Sequence, residues 1–181
     1  LVRHGETDMN RAGIAQGTSG GPLNSVGKAQ AVAIANALIS ALPFTLYTSP
    51  SERALETARV VSDACHTPIT ELGELMECSW GDLEGLTDDQ IRQKYPEFIG
   101  EYLRDSTLAR PPSGETLREV QSRAWGAVTR LMENKSEDAV VAVTHSYTIK
   151  AIVCKAISVP LDAKLYRELG SITRLELTRD D

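Results

Sequence analysis

Ala139-Val140-Val141-Ala142-Val143-Thr144-His145-Ser146 is the stretch from which the fold can be read. Its apolar residues run from Ala139 to Val143 without a polar break. A strand with one wet face alternates apolar and polar residues, and a strand covered on both faces does not. The run therefore predicts a central strand of a mainly parallel sheet with helices over both faces. Downstream, Ile149, Ile152, Val153, Ala156 and Ile157 give the next helix a buried face. Upstream, Leu117, Val120, Ala124, Val128 and Leu131 keep register along a longer helix.

The rest of the chain alternates in the same way. Leu1-Val2 reads as the end of a first strand. Ser25 to Ala41 reads as a helix, with Ala31, Ile34, Ala35 and Leu38 on one face and Pro43 as its stop. Phe44 to Thr48 reads as a strand and Ser51 to Cys65 as a helix. Pro68 to Leu72 reads as a short strand. Thr87-Asp88-Asp89-Gln90 has capping-box spacing, so a helix is expected from there, interrupted at Tyr95-Pro96 and resuming to about Arg104. Arg110 to Gly114 is a loop. Ile172 to Thr178 alternates as a half-exposed edge strand does. The expectation is one three-layer α/β/α domain over residues 1–181, with a mainly parallel central sheet and a helical lid insertion at about 82–135.

Composition narrows the partners. The chain has 181 residues, 41% hydrophobic and 24% charged, which is ordinary for a globular domain. Its net charge of −6 disfavours a nucleic-acid or anionic-membrane surface. No apolar run approaches the roughly 20 residues of a membrane span. Cys65, Cys78 and Cys154 are odd in number and lack ligand spacing, so free thiols and a cytoplasmic location are expected. Cys78, beside Glu77, is a minor candidate for redox sensitivity. The chain starts at Leu1 without Met, so residues are expected to precede it and a cleaved leader stays open. A homodimer also stays open.

Four segments stand at carboxyl ends of predicted strands, where open parallel sheets place ligand sites. They are Arg3-His4-Gly5-Glu6-Thr7, Ser49-Pro50-Ser51-Glu52-Arg53, Glu77 and His145-Ser146. A neutral imidazole is a good phosphoryl acceptor near neutrality. Arg3 and Arg53 offer planar forks for the charge on a transferring phosphoryl group. His145, if protonated, adds another donor, and the helix start after it offers backbone N–H groups. Glu77 can protonate a leaving alkoxide and later deprotonate water. Singly these residues are ordinary: His66 reads as a packed or surface histidine, and Arg53 alone as a solvated charge. Two histidines and one carboxylate also match a metal facial triad, although two arginines in the same pocket would repel a cation.

Leu1-Val2-Arg3-His4-Gly5-Glu6-Thr7, with Asn10 and Gln16-Gly17 beyond, resembles the signature of the histidine phosphatase superfamily, in its phosphoglycerate mutase-like branch. Ser49-Pro50 with Arg53-Ala54 and Thr57-Ala58 resembles the second motif. Leu75-Met76-Glu77 with Gly81 and Glu84-Gly85 resembles the acid motif, and Val143-Thr144-His145-Ser146 the second histidine motif. The motifs run in family order over nearly the whole chain. The resemblance implies an α/β/α fold, no cofactor and no metal. It implies His4 as the phosphorylated nucleophile, Arg3, Arg53 and His145 as the phosphate pocket, and Glu77 as proton donor. Asn10, Gln16, Gly17 and Ser146 then line the substrate site; Ser146 stands where many relatives have Gly.

The segment between Glu77 and His145 is shorter than in the cofactor-dependent phosphoglycerate mutases that the resemblance brings in. That favours access of water and a phosphatase acting on small phosphate monoesters. Gly81 to Thr87 and Arg110 to Thr116 look most like the α-ribazole phosphatases, with α-ribazole 5′-phosphate as the implied substrate. Mutase-type phosphoryl transfer is the alternative, and a non-catalytic phosphate-binding module the alternative of another class. Trp80, Tyr95, Phe98, Tyr102, Arg104 and Arg110 are the candidate rim, with half or more of the aromatics expected only to pack the lid.

Overall fold

The structure, a computed structural model, describes residues 1–133, 139–165 and 168–177. Four parallel strands form the sheet in the order β1-β4-β2-β3: β1 (Val2–Arg3), β2 (Thr45–Thr48), β3 (Ile69–Glu71) and β4 (Val140–Thr144). The 139–143 run is indeed central, paired with β1 on one side and β2 on the other.

The pleat sorts its residues onto two covered faces. Val2, Leu46, Val141 and Val143 pack with α2 (Ser25–Leu38) and α3 (Glu52–Cys65). Tyr47 and Ala142 face the other way, with Leu75 and with Leu131 of α6 (Leu117–Glu133). Helix α6 packs on α7 (Ser146–Ala156) in that second layer. Three layers result, as expected. Among the described residues no helix is long and apolar enough to cross a membrane.

Local chemistry sets the element ends. Thr87 and Gln90 form the expected reciprocal cap of α4 (Asp88–Lys94). Pro96 then starts α5 (Pro96–Arg104), since proline fits a first helical turn and breaks a helix interior. Leu83, Ile91, Phe98 and Ala109 form a separate small core around α4 and α5. One helix was not expected: α1 (Asp8–Arg11), capped by Thr7 and Asn10 through the same reciprocal bonding.

The expected C-terminal strand is corrected. Ile172 makes only an isolated antiparallel bridge to Val2, and residues 173–177 form no strand; Thr178 lies outside the described residues. Backbone hydrogen bonds join Gly170 to His4, Ser171 to Arg3 and Thr173 to Leu1. Alternation sets which side chains share a face, but a strand also needs a continuous backbone ladder, so alternation alone does not make one.

Candidate functional site

The sheet register brings the site loops to one rim. His4 N–H donates to Thr144 O at 3.1 Å, and Ser49 N–H to Val143 O at 2.9 Å. The residues leaving β1, β2 and β4 therefore start at the same level. Beside them lies a cleft of about 420 Å³ lined by Arg3, His4, Asn10, Gln16, Gly17, Arg53, Glu77 and Ser146, eight of the nine residues expected there. The ninth, His145, is fully buried behind the cleft wall, its ring centroid 5.1 Å from that of His4. His66 is exposed at the left-handed cap of α3, away from the site.

The His4 imidazole is oriented by its neighbours. Its Nδ1 lies 2.7 Å from Gly5 O, a group that only accepts, so Nδ1 carries the proton. Nε2 then presents a lone pair, and Arg53 Nε donates to it at 3.2 Å. Burial, then the positive charge of Arg53, lowers the His4 pKa from 6.5 to about 3. His4 is therefore a neutral base at ordinary pH. The rest of the Arg53 guanidinium donates to Ser19 O at 2.8 Å and Gly17 O at 2.7 Å.

Gly5 sits at a close backbone crossing. A Cβ at Gly5 would lie 2.4 Å from Gly27 O, and one at Gly27 2.1 Å from Glu6 O. The pair lets the start of α2 press directly on the His4 loop. Gly5 N–H also donates to Thr57 Oγ1 at 3.1 Å, which ties the loop to α3.

His145 differs from expectation in charge. Burial first, then Arg53, holds its pKa well below 6.5, so it is neutral in the unliganded site. Its Nε2 faces Ser49 Oγ at 2.8 Å and Ser51 Oγ at 3.3 Å, while Nδ1 is buried with no hydrogen-bond partner among the described residues. If the Ser49 hydroxyl donates to Nε2, Nδ1 carries the proton and is a donor awaiting an acceptor.

Glu77 takes the amides expected to face a phosphate. Its carboxylate accepts from Cys78 N at 2.9 Å, Tyr147 N at 3.2 Å and Thr148 N at 3.3 Å. The first turn of α7 thus holds the acid in place. Burial raises the Glu77 pKa; the backbone donors, Arg53 and Arg3 oppose the rise without cancelling it. Burial thus favours the protonated form more than water does.

Two residues support the site: Arg123, not singled out from the sequence, and Glu84, which the acid motif contained without a role. Arg123 of α6 donates to Glu74 O, Met76 O and Glu77 O at 2.7, 2.8 and 3.0 Å, and pairs with Glu115. Glu84 accepts from Thr18 N, Ser19 N and Trp80 N at 2.9, 2.8 and 3.1 Å, fastening the loop whose carbonyls hold Arg53. Gly17 sits at φ 55°, and a Cβ there would lie 2.0 Å from Glu84 Oε1. A lone Arg on a helix has no sequence signature for such a task.

The expected rim is partly corrected. Trp80 and Tyr102 line the cleft, whereas Tyr95 and Phe98 pack the lid core. Arg104 faces a separate groove, and Arg110 pairs with Glu119 at 2.6 Å. Ile14, Tyr147, Lys150, Lys164 and Leu165 line the cleft in addition. Cys65, Cys78 and Cys154 are free and buried. Burial and the carboxylates of Glu77 and Glu115 push the Cys78 thiol up, which works against redox reactivity. Among the described residues no three or more His, Cys, Asp or Glu side chains converge as a metal site, so the facial-triad alternative has no geometry.

A parallel α/β sheet whose strand ends gather two histidines, two arginines and a buried carboxylic acid defines an anion-handling protein of the phosphoryl-transfer kind. The chain belongs to the histidine phosphatase superfamily (branch 1), whose family model matches residues 1–181. It is 32% identical over 178 residues to a metal-independent phosphoserine phosphatase of Arabidopsis thaliana, covering 97% of this chain and 75% of that protein. A 2,3-bisphosphoglycerate-dependent phosphoglycerate mutase of Bartonella henselae is 30% identical, with 84% and 78% covered. The crystal structure of a putative alpha-ribazole-5'-P phosphatase from Escherichia coli K-12 superposes with a TM-score of 0.85 at 28% identity, covering 94% of this chain and 85% of that one.

Proposed function

We propose that the protein is a phosphoric monoester hydrolase that cleaves small phosphate esters through a phosphohistidine at His4. The observation that carries the reading is the Nδ1–H···O bond from His4 to Gly5, which leaves a lone pair on Nε2 beside the Arg53 guanidinium. A neutral imidazole held in one tautomer needs no proton removed before it attacks phosphorus.

In the first step Nε2 forms the bond to phosphorus as the ester P–O bond breaks. Arg53 exchanges its contact with Nε2 for one with a phosphoryl oxygen. Arg3 adds a second cation, and His145 Nδ1–H supplies a buried donor to a third oxygen. The leaving alkoxide takes the Glu77 proton. In the second step Glu77, now ionised, takes a proton from water. The water oxygen bonds to phosphorus, the N–P bond breaks, and inorganic phosphate leaves. Asn10, Gln16, Gly17 and Ser146 line the surrounding wall.

Phosphatase-named relatives support hydrolysis, and the mutase relative keeps phosphoryl transfer between substrate hydroxyls as the second reading. The α-ribazole 5′-phosphate reading draws support from the aromatic wall of Trp80, Tyr102 and Tyr147. The decisive experiment is rapid quench with a labelled monoester. The wild type is expected to form an acid-labile phosphoenzyme and release stoichiometric phosphate, with negligible interconversion of 2- and 3-phosphoglycerate, while His4→Ala does neither. Labelling of His4→Ala would refute the nucleophile. Mutase turnover faster than phosphate release would refute hydrolysis.

A further inference from the structure

The phosphoryl seat uses Arg3 and Arg53, yet the cleft is lined by two more cations, Lys150 and Lys164. Glu77 is the one carboxylate among its described lining residues, and burial raises its pKa. A bound monoester dianion balances the two arginines and leaves both lysines unmatched. Neither lysine has an ion pair among the described residues. This surplus stands out on a chain of net charge −6.

The placement of Lys150 is set by helix geometry. It lies four residues after Ser146, on the same face of α7, and both line the cleft. Four residues advance about 6 Å along a helix, and side chains lean toward its N-terminus. The half-buried Lys150 therefore leans back toward the phosphoryl seat from about one turn away. Lys164 enters from the segment after α7, exposed, next to Leu165. Trp80 and Tyr147 line the same cleft edge to face, with ring centroids 5.0 Å apart, and the Tyr102 hydroxyl meets the Tyr147 hydroxyl at 3.3 Å. These rings close one side of the cleft and restrict how a substrate can lie.

We propose that Lys150 and Lys164 form a second anion subsite, so that the preferred substrate is a small phosphate monoester carrying another anionic group, a carboxylate or second phosphate, about one helical turn from the reacting phosphorus. The proposal rests on the phosphatase reading and narrows its substrate class. An ester whose far end is uncharged, α-ribazole 5′-phosphate included, leaves both lysines without an anion.

Matched pairs test this with the intact chain. 3-Phosphoglycerate and glycerol 3-phosphate differ only by a carboxylate in place of a hydroxymethyl group. Fructose 1,6-bisphosphate and fructose 6-phosphate differ by the second phosphate. The wild type is expected to favour the more anionic member of at least one pair about tenfold in kcat/KM, a size set by half-exposed ion pairs. The pair that shows it identifies the anion. Lys150→Met/Lys164→Met is expected to bring that ratio close to one, through KM rather than kcat, and Lys150→Arg to keep most of it. No preference in either pair, or a preference that survives the double methionine variant, overturns the proposal. Calorimetry on His4→Ala with the same four esters separates the two readings. If no monoester is hydrolysed but lysine-dependent preference persists in binding, hydrolysis falls and the subsite stands; equal binding of both members of each pair removes the subsite.

Discussion

Replacing Glu77 by Gln changes one proton and little volume, so its consequences can be worked out atom by atom. Glu77 Oε1 accepts from Cys78 N and Thr148 N, and Oε2 from Tyr147 N. Glutamine keeps one oxygen for two of these amides and turns an NH₂ toward the third. One buried donor then lacks an acceptor, a cost of about 1–3 kcal/mol. Against this, the variant removes a carboxyl whose ionisation burial opposes. The raised pKa means that the stabilising contribution of the proton is fully present below the usual value of 4.5 and is lost as pH rises through the folded value. The stability deficit of Glu77→Gln is therefore expected to be largest in acid and to shrink toward neutral pH. In catalysis, loss of a general acid is expected to slow alkyl phosphates about 10²–10⁴-fold. p-Nitrophenyl phosphate, whose leaving group departs readily as an anion, is expected to slow less than about tenfold. The assay is kcat/KM for a primary alkyl phosphate and p-nitrophenyl phosphate across pH, with denaturant melts alongside. The wild type is expected to lose alkyl ester activity as Glu77 ionises at higher pH, and the variant to lack that limb. Equal slowing of both esters, or the same alkaline limb in the variant, would refute the argument.

Two further outcomes follow from the charges of the site. Because Arg3 and Arg53 take the neutralising role that a divalent ion would otherwise have, turnover is expected to survive EDTA, and vanadate to inhibit by imitating five-coordinate phosphorus; activity lost in chelator and restored by a metal would overturn this. For His4, the unfolded chain takes up a proton near pH 6.5 that the folded protein refuses until about pH 3, so stability is expected to fall as pH drops through that window. Denaturation midpoints of His4→Asn between pH 7 and 4 are expected to fall less steeply than those of the wild type, and equal slopes would contradict the burial argument.

The sequence by itself determined the sheet and most of the site. The unbroken run at 139–143 has one stable environment, a strand covered on both faces, and this orders the helices around it. The residue types at strand ends then named five of the cleft's lining groups, Arg3, His4, Arg53, Glu77 and Ser146, because a parallel sheet puts those ends on one rim; Asn10, Gln16 and Gly17 came from the family resemblance. The helix starts at Thr87 and Pro96 were legible because capping and proline act within one turn of chain. What the sequence could not carry were outcomes of competition between distant groups. Alternation after Ile172 predicted a strand, but a strand needs a backbone ladder, and Ile172 makes only an isolated bridge to Val2. The helix start after His145 offered its amides to any anion; only the tertiary structure decided that Tyr147 and Thr148 serve Glu77. Gly5 carried a family motif, but the backbone that needs its missing side chain is Gly27, across a packed interface. The charge state of His145 and Glu77 follows from burial, a property of the packed molecule. Arg123, Lys150 and Lys164 gained their places for the same reason: a single charged residue has no local pattern, and its role is set by what folding brings beside it.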